Sequence, residues 1–258
     1  MGYWEERQAR TQAVLTEKKA IETTGQIAKY YAQAQARVIG QFQETYNKIL
    51  STIEKGGTPT PADLYKLDSY WKMQAQVAEE LRKLGNRQAS VMSAKFIEQY
   101  ENIYLSYGYI DISHYTEIDT QVAETLINQI WCADGLSWSD RIWSNTELLQ
   151  EELNNNLLDC LITGKSAQDL KILLQDRFNV SYARADALVR TELAHIQTQA
   201  ARQRYTDAGI TKVQVWADKD DRRCEVCGDL HEKIFNVGDK MPVPAHPRCR
   251  CCIIPVIE

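Results

Sequence analysis

The sequence predicts an α+β protein in which a mainly α-helical body is followed by a small C-terminal α+β module. Between residue 3 and about residue 208, apolar side chains recur at spacings of three and four, and Gly and Pro are rare. After Gly209 the apolar pattern changes to the period of two that is typical of strands. Five of the seven cysteines lie in the last 35 residues, so the module also differs from the body in composition.

The N-terminal part of the body is predicted to form two helices. The first runs from Tyr3 to about Glu54, and the Gly- and Pro-rich residues that follow end it. Thr60 is predicted to cap the second helix, because Pro61 suits the first helical position and an acid stands at the third. We expect this second helix to reach Lys83 or beyond.

Five tyrosines lie in the segment from residue 100 to residue 115. We interpret this segment as an irregular connector or interface, because aromatic rings with a polar end suit contact surfaces. The alternative is that these tyrosines pack locally between helices. In neither case do they identify a ligand.

Three further helices are predicted in the second half of the body. The first, over residues 137–164, starts at a serine with an acid three residues later and ends at a glycine. A short helix over residues 166–178 repeats the capping pattern, and a last helix over residues 181–208 is closed by Gly209. Spacings of three and four predict one buried face on that last helix, formed by Val189, Leu193, Ile196 and Ala200.

We divide the chain into an N-terminal helical region, residues 1–134, and a second domain, residues 135–258, that ends in a Cys/His module at 210–258. Within the module, residues 212–216 alternate as a strand does, and residues 251–257 form a second strand candidate. The stretch between these two strands is rich in Gly and Pro and is predicted to be mostly loop.

Composition and charge exclude several classes of protein. Hydrophobic residues make up 44% of the chain, which is enough for a buried core. The sequence contains no apolar run of membrane-spanning length and no export signal at its start, so we expect synthesis in a cytoplasm and no membrane partner. The net charge is −5 and the acidic residues concentrate in the middle, so no broad basic face for duplex binding is predicted.

The most specific local pattern is a pair of metal-ligand motifs. Cys224 and Cys227 form C-x2-C, and after eighteen residues His246 and Cys249 form H-x2-C. Two such short-spaced pairs of thiol and imidazole ligands can close a tetrahedral zinc site. Cys251 lies two residues beyond Cys249, so on a strand both thiols face the same side and either can be the fourth ligand.

Structural zinc is therefore the first interpretation of the module. Reduced cysteines without a metal and disulfides remain as the second and third, because small loops are also stabilised by turns and packing. Four protein ligands leave no open coordination position on the metal. Zinc bound in this way supports folding and performs no catalysis.

Enzyme motifs are incomplete. Gly164-Lys165-Ser166 resembles the end of a phosphate-binding loop, but Asp159 stands where that motif needs a glycine. Glu192 and His195 lie one helical turn apart, which acid/base chemistry could use, but no nucleophile or cofactor motif accompanies them. We interpret Arg190, Glu192 and His195 as a structural polar anchor between the last long helix and the module.

Taken together, these motifs resemble the phage Mu F-like domain of minor head proteins. The matching segments are residues 137–143, 190–192, 205–209, 221–227 and 246–251. The resemblance covers residues 135–255, and the long Ala- and Gln-rich first helix also looks like the N-terminal regions of such proteins in phages of Gram-positive bacteria.

The resemblance implies a minor capsid protein of a tailed bacteriophage, made in the host cytoplasm and retained in the virion, inside the head near the portal. Its implied partners are the portal protein, the major capsid or scaffold protein and packaged DNA. The implied roles are procapsid assembly and DNA packaging or delivery. Some relatives carry an additional C-terminal toxin or ADP-ribosyltransferase domain. Only seven residues follow Cys251, so we expect no enzyme here.

Two other functions remain open on the residues alone. One is a zinc-ribbon nucleic-acid-binding protein, whose basic surface would be formed by Arg222, Arg223, Arg248 and Arg250. Against this alternative, several acidic residues occupy the same stretch, from Asp218 to Asp229. The other is a hydrolase or transferase that uses Glu192 and His195.

The first helix is also the predicted partner-binding element. At about 1.5 Å per residue it measures about 75 Å, longer than a chain of this size is expected to cover. Left unpaired, it would expose an apolar stripe that favours binding to the portal, formed by Tyr30, Tyr31, Val38, Ile39, Phe42, Tyr46 and Ile49. The alternative is that this helix folds back on residues 61–100.

Overall fold

The computed structural model describes residues 3–52, 60–106, 120–218 and 220–256. Its elements are α1 (Tyr3–Thr52), α2 (Pro61–Leu64), α3 (Asp68–Leu105), α4 (Thr120–Ile127), α5 (Trp138–Thr163), α6 (Ala167–Asp207), β1 (Lys212–Trp216), α7 (Glu225–Leu230), β2 (Ile234–Asn236) and β3 (Cys252–Pro255). A helical body followed by a small three-stranded sheet confirms the α+β fold class. Among the described residues, no helix combines the length and the apolar character that crossing a membrane requires.

Helix α1 begins where it was predicted and ends at Thr52, and the glycines predicted to end it lie outside the described residues. The predicted cap at Thr60 is present. Its hydroxyl accepts a bond from the Asp63 N–H at 3.3 Å, and the Asp63 carboxylate accepts one from the Thr60 N–H at 3.2 Å. Two N–H groups that a helix start leaves unpaired are thereby satisfied.

The prediction of one helix from Pro61 to Lys83 is wrong, because α2 ends at Leu64 and α3 begins at Asp68. The indole N–H of Trp71 donates to the carbonyl of Tyr65 at 2.9 Å. That carbonyl would otherwise accept the backbone bond of the next helical turn. The prediction used only the spacing of apolar residues, which does not show that the Trp71 side chain would bond to a carbonyl six residues earlier.

The interpretation of residues 100–115 as an irregular connector is wrong for Tyr100 and Tyr104, which lie on α3. Both rings are buried and stacked, with centroids 6.3 Å apart, and the Tyr104 hydroxyl donates to Asp207 at 2.6 Å. These two tyrosines pack between helices, as the alternative had it. The other three tyrosines lie outside the described residues.

Helix α6 runs unbroken through the point where two helices were predicted. Its start follows the prediction, with Ser166 and Asp169 exchanging capping bonds of 3.0 and 3.1 Å. The predicted second start at Ser181 is wrong: this serine is buried within the helix, its hydroxyl lies 3.2 Å from the Tyr31 hydroxyl, and its carbonyl accepts from Asn145 at 3.0 Å. No Gly or Pro precedes Ser181 closely, so nothing in the backbone requires the helix to stop.

The chain divides into two compact units. Unit 1 contains residues 1–24, 91–138 and 186–258, and unit 2 contains residues 25–90 and 139–185. Helices α1, α3 and α6 contribute residues to both units. Each unit therefore draws on both sides of the predicted domain boundary at residues 134 and 135, and that boundary stays a prediction.

In unit 2 the apolar stripe of α1 is covered. Six of its seven residues are buried, namely Tyr31, Val38, Ile39, Phe42, Tyr46 and Ile49. Arg37 pairs with Glu80 of α3 at 3.0 Å, and the Tyr46 hydroxyl donates to the Lys165 carbonyl. The expectation of an unpaired stripe on α1 is therefore wrong, and the fold-back on residues 61–100 is present.

In unit 1 the C-terminal sheet packs on helices. The sheet is antiparallel with the order β2-β1-β3, and Val215 lies opposite Ile253. The Ile253 carbonyl accepts from Gln12 of α1 at 3.0 Å and from Tyr205 of α6 at 3.1 Å. Strands β1 and β3 were predicted, whereas β2 and α7 fall in the stretch predicted as loop. The predicted buried face of α6 is confirmed at Val189, Leu193, Ile196 and Ala200.

Candidate metal centre

Helix α7 and the loop before β3 supply five soft donors to one small region. Cys224 is the N-cap of α7, with extended backbone at φ −76° and ψ 165°, and its sulfur accepts the Cys227 N–H at 3.4 Å. His246 and Cys249 lie in the loop, and Cys251 immediately precedes β3. The C-x2-C pair therefore faces the same side because the first turn of α7 places the two sulfurs together.

The distances between donor atoms suit a metal ion. His246 Nε2 lies 3.2 Å from Cys224 Sγ and 3.1 Å from Cys227 Sγ, and Cys227 Sγ lies 3.8 Å from Cys249 Sγ. With zinc–sulfur bonds of about 2.3 Å, two sulfurs of a tetrahedral site are about 3.8 Å apart. The sulfur–nitrogen separations are a few tenths of an ångström shorter than the tetrahedral value. These three separations are therefore close to those of a tetrahedral thiolate-imidazole site.

The backbone carbonyl of the next residue determines which nitrogen of His246 carries the proton. Nδ1 lies 2.8 Å from the Pro247 carbonyl, which can only accept, so Nδ1 carries the proton. In the neutral ring Nε2 then carries no proton, and its lone pair is free to bind a metal. This nitrogen lies next to the sulfurs of Cys224 and Cys227. Metal-binding histidines usually show this arrangement, because a bond at the outer nitrogen orients the ring.

The pKa is lowered for two of the cysteine thiols and raised for a third, and a bound cation would favour the thiolate form of all three. The backbone N–H of Cys227 lowers the pKa of Cys224, and a hydrogen bond from Cys251 lowers the pKa of Cys249 to about 5. Burial raises the pKa of Cys227 to about 12, because a lone thiolate is poorly solvated there. A metal ion bonded to all three sulfurs would supply the positive charge that a buried thiolate needs.

The five predicted metal residues form two overlapping groups of three. Within the part of the chain that the structure describes, Cys224, Cys227 and His246 form one close group, and Cys227, Cys249 and Cys251 form another. Cys227 belongs to both groups. A single tetrahedral ion takes four of the five donors, so Cys249 and Cys251 remain alternative fourth ligands, as the sequence had left them.

Comparison with known proteins gives a match between part of the chain and one family model. Residues 151–254 match the family model described as Phage Mu protein F like protein. This part of the chain is similar to the Phage Mu F-like family. None of the curated proteins and none of the solved structures matches the chain. The match confirms the predicted resemblance and supports a role in phage head morphogenesis.

The Mu F-like segment, residues 151–254, includes the second half of α5, all of α6, strands β1 and β2, β3 except its last residue, and the five donors. Next to the donors its arginines are paired with acids. Arg250 makes two bonds of 2.7 Å to Asp220, which hold the pKa of that carboxyl well below its usual range, and Arg222 also contacts Asp220. Arg248 pairs with Asp186 at 2.8 Å. Three of the four arginines that the nucleic-acid alternative needs, Arg222, Arg248 and Arg250, are therefore each paired with an acid.

The predicted polar anchor is spread over three different contacts. Glu192 is 3% exposed and accepts from the Trp131 indole at 3.0 Å. His195 stacks on the same indole, with centroids 4.3 Å apart, and burial lowers its pKa to about 4. Arg190 pairs with Glu17 of α1 and with Asp186. These contacts join α6 to Trp131 and to α1. The role of the three residues as an anchor between α6 and the module stays a prediction.

Sequence reasoning missed Thr191, whose hydroxyl accepts the backbone N–H of Arg248 at 3.0 Å. It also missed Arg202, which donates to the carbonyls of Val237 and Gly238 at 2.7 and 2.8 Å. Both residues link α6 to the module directly. Thr191 lies inside the Arg-Thr-Glu motif on which the resemblance was based, but the motif gives no indication of its partner.

Proposed function

We propose that this chain is a minor component of a tailed-phage head that binds the portal protein, acts in procapsid assembly and remains in the virion. The observation that carries the proposal is the Mu F-like segment, residues 151–254, with its cluster of soft donors. A head-morphogenesis role follows from the family. The portal contact, the placement inside the head and a contribution to DNA packaging or delivery are our proposals.

We further propose that the donor cluster holds one zinc ion through Cys224, Cys227, His246 and either Cys249 or Cys251. Cysteine and histidine donors in this ratio favour zinc over the oxygen-preferring cations. An ion with four protein ligands has no open position for a substrate. Its role would be to fold the loops between β1 and β3, and not to catalyse a reaction.

We propose no catalytic role for Glu192 and His195. The Glu192 carboxylate is buried against the Trp131 indole, and the His195 ring is buried and stacked on that same indole. Acid/base groups need access to a reacting molecule within hydrogen-bond distance. The described surroundings of these two side chains suit a packed polar contact.

The portal contact is assigned to the exposed face of α1 in unit 1. Val14 is 65% exposed and Ile21 is 59% exposed, and a spacing of seven places them on one helix face. The stripe that the sequence had nominated is buried in unit 2 and is not available. Exposed apolar side chains that share a helix face favour helix-to-helix association.

Co-expression with the portal gene of the same phage tests this assignment. Deleting residues 1–55 would remove a helix that contributes to the cores of both units, so surface substitutions are preferable. We expect Val14→Gln with Ile21→Gln to abolish co-purification with the portal protein. The matched control, Ile130→Gln with Ile172→Gln, changes two similarly exposed residues elsewhere and should leave the complex intact.

Two results would contradict the proposal at different levels. A complex that survives the Val14 and Ile21 substitutions would move the contact away from this face of α1. If the unmodified chain failed to bind the portal at all, and mass spectrometry of purified virions lacked it, the assignment to the head would be wrong.

A further inference from the structure

Helix α6 makes two contacts with one residue, Arg248, of the loop that carries His246 and Cys249. We call residues 246–249 the knuckle. Within it, the Arg248 N–H donates to Thr191 Oγ1 at 3.0 Å, and the Arg248 guanidinium pairs with Asp186 Oδ2 at 2.8 Å. Asp186 and Thr191 are five residues apart on α6, so the backbone and the side chain of one arginine are held by the same helix.

Arg248 stands between the two donors of the knuckle and has an unusual backbone conformation. Its φ is +61°, in the left-handed region that any residue with a Cβ adopts at a cost. The turn is closed by the Cys249 N–H, which donates to the His246 carbonyl at 3.1 Å. A bond that holds Arg248 in this conformation therefore sets the directions in which the chain enters and leaves both donors.

The side-chain pair belongs to a short chain of charges. Asp186 accepts from Arg190 Nε at 3.2 Å as well as from Arg248, and Arg190 continues to Glu17 at 3.0 Å. The Arg248 side chain is about half exposed, so its ion pair is weakened by solvent and salt. The bond from the Arg248 N–H to Thr191 is uncharged, so salt does not screen it, and its length of 3.0 Å is ordinary. We therefore expect the bond to Thr191 to contribute more to the conformation of the knuckle than the ion pair with Asp186.

We propose that Thr191, assisted by Asp186, is a positioning residue for the metal centre: it holds Arg248 so that His246 and Cys249 are preorganised to bind the ion. The inference rests on the zinc site proposed above. Groups that orient metal ligands raise affinity, because the ligands need not be ordered when the metal binds. The arrangement also links the Arg-Thr-Glu and His-Pro-Arg-Cys motifs, which start 56 residues apart in the sequence, through one hydrogen bond.

The experiment measures zinc affinity of the full chain by competition with a chromophoric chelator, and the absorption spectrum of the cobalt-substituted protein. We expect Thr191→Val to lower zinc affinity by about 10- to 100-fold and to alter the cobalt spectrum. Thr191→Ser keeps the hydroxyl and should bind as the unmodified chain does. Asp186→Asn should lower affinity by a smaller factor that shrinks as salt is added.

Thr198→Val is the matched control. Thr191 donates to the Ala187 carbonyl four residues back, and Thr198 likewise donates to the Ala194 carbonyl on the same helix. If Thr191→Val and Thr198→Val reduce affinity equally, or if neither does, the positioning role is overturned while the zinc site stands. If the unmodified chain takes up no zinc or cobalt, the zinc site itself fails and the inference fails with it. Far-ultraviolet circular dichroism confirms that each variant keeps its helices.

Discussion

Unit 2 and the C-terminal module use different interactions to hold their folds. Unit 2 buries large apolar side chains of long helices, among them Phe42, Leu81 and Phe178. The part of the module between β1 and β3 consists mostly of loops, and among its described residues only three cysteines, Ala217, Met241 and Val243 are buried. The comparison shows that helices with an apolar face stabilise one another, whereas loops that join short strands need cross-links of another kind.

Typical magnitudes make the same point. Burying one large apolar side chain contributes about 1.5 to 3 kcal/mol. Apparent binding energies of structural zinc are about 10 to 16 kcal/mol, which equals the contribution of about three to ten such side chains. A single ion could thus replace the apolar core that the loops lack, whereas unit 2 has no need of one.

The largest effect expected from this comparison is the response to metal removal. Zinc analysis of protein purified without chelator should find about one ion per chain. Chelation, or Cys224→Ser, should open residues 217–250 to protease and hydrogen exchange, because the loops lose the ion that we propose cross-links them. Protection of the helices of unit 2 should stay unchanged.

Cys132→Ser is the control for loss of a thiol, since Cys132 lies between α4 and α5 and outside the donor cluster. It should change neither the zinc content nor the protease pattern. A metal-free protein whose C-terminal part resisted protease as well as the native one would remove the distinction drawn between the two regions.

The next prediction concerns the loss of stability in acid that the buried side chain of His195 causes. Burial lowers the pKa of His195 to about 4, so the folded protein binds a proton there less readily than the unfolded chain, whose histidine titrates near 6.5. This contribution to stability is complete above pH 6.5 and is lost as the pH falls towards 4. The difference corresponds to about 3 kcal/mol.

His195→Phe keeps a ring against Trp131 but cannot titrate. Urea unfolding of the variant between pH 7 and pH 4 should therefore show a shallower loss of stability than that of the unmodified chain. Equal slopes would mean that His195 is not held neutral by burial. His246 and the thiols titrate in both proteins and cancel in the comparison.

A close helix contact in unit 2 gives the next effect. A Cβ on Gly85 of α3 would lie 2.7 Å from Cζ3 of Trp143 on α5, so Gly85→Ala should destabilise the protein by about 1 to 3 kcal/mol. Gly40→Ala on α1 adds a Cβ with no atom within 4 Å and should stabilise by about 0.5 to 1 kcal/mol. Urea unfolding that gave both changes the same sign would contradict the tight packing assigned to unit 2.

The smallest effect is expected at Glu192. Glu192→Gln keeps an oxygen that can accept from the Trp131 indole but loses the charge of the bond, so stability should fall by about 1 kcal/mol. Thermal unfolding measures this loss. An enzymatic activity that the substitution abolished would instead show that the buried carboxylate is catalytic.

The sequence by itself determined the features whose causes are local. The caps at Thr60 and Ser166 and the glycine that closes α6 depend on residues within one turn, and the buried face of α6 depends on apolar spacing within a single segment. The metal-ligand motifs could be identified for the same reason, since each donor pair spans four residues. Such signals can be identified from the sequence because both partners lie side by side in the chain.

Tertiary structure decided the features that depend on distant partners. Ser181 stays helical beside Tyr31, 150 residues away, and the α1 stripe is covered rather than exposed because residues of α3 and α6 meet it. The bond from Arg248 to Thr191 joins two motifs that the sequence presents separately. Local patterns state which surface a segment must bury or which donor it offers, but the partner that meets it is chosen by the packing of the whole chain.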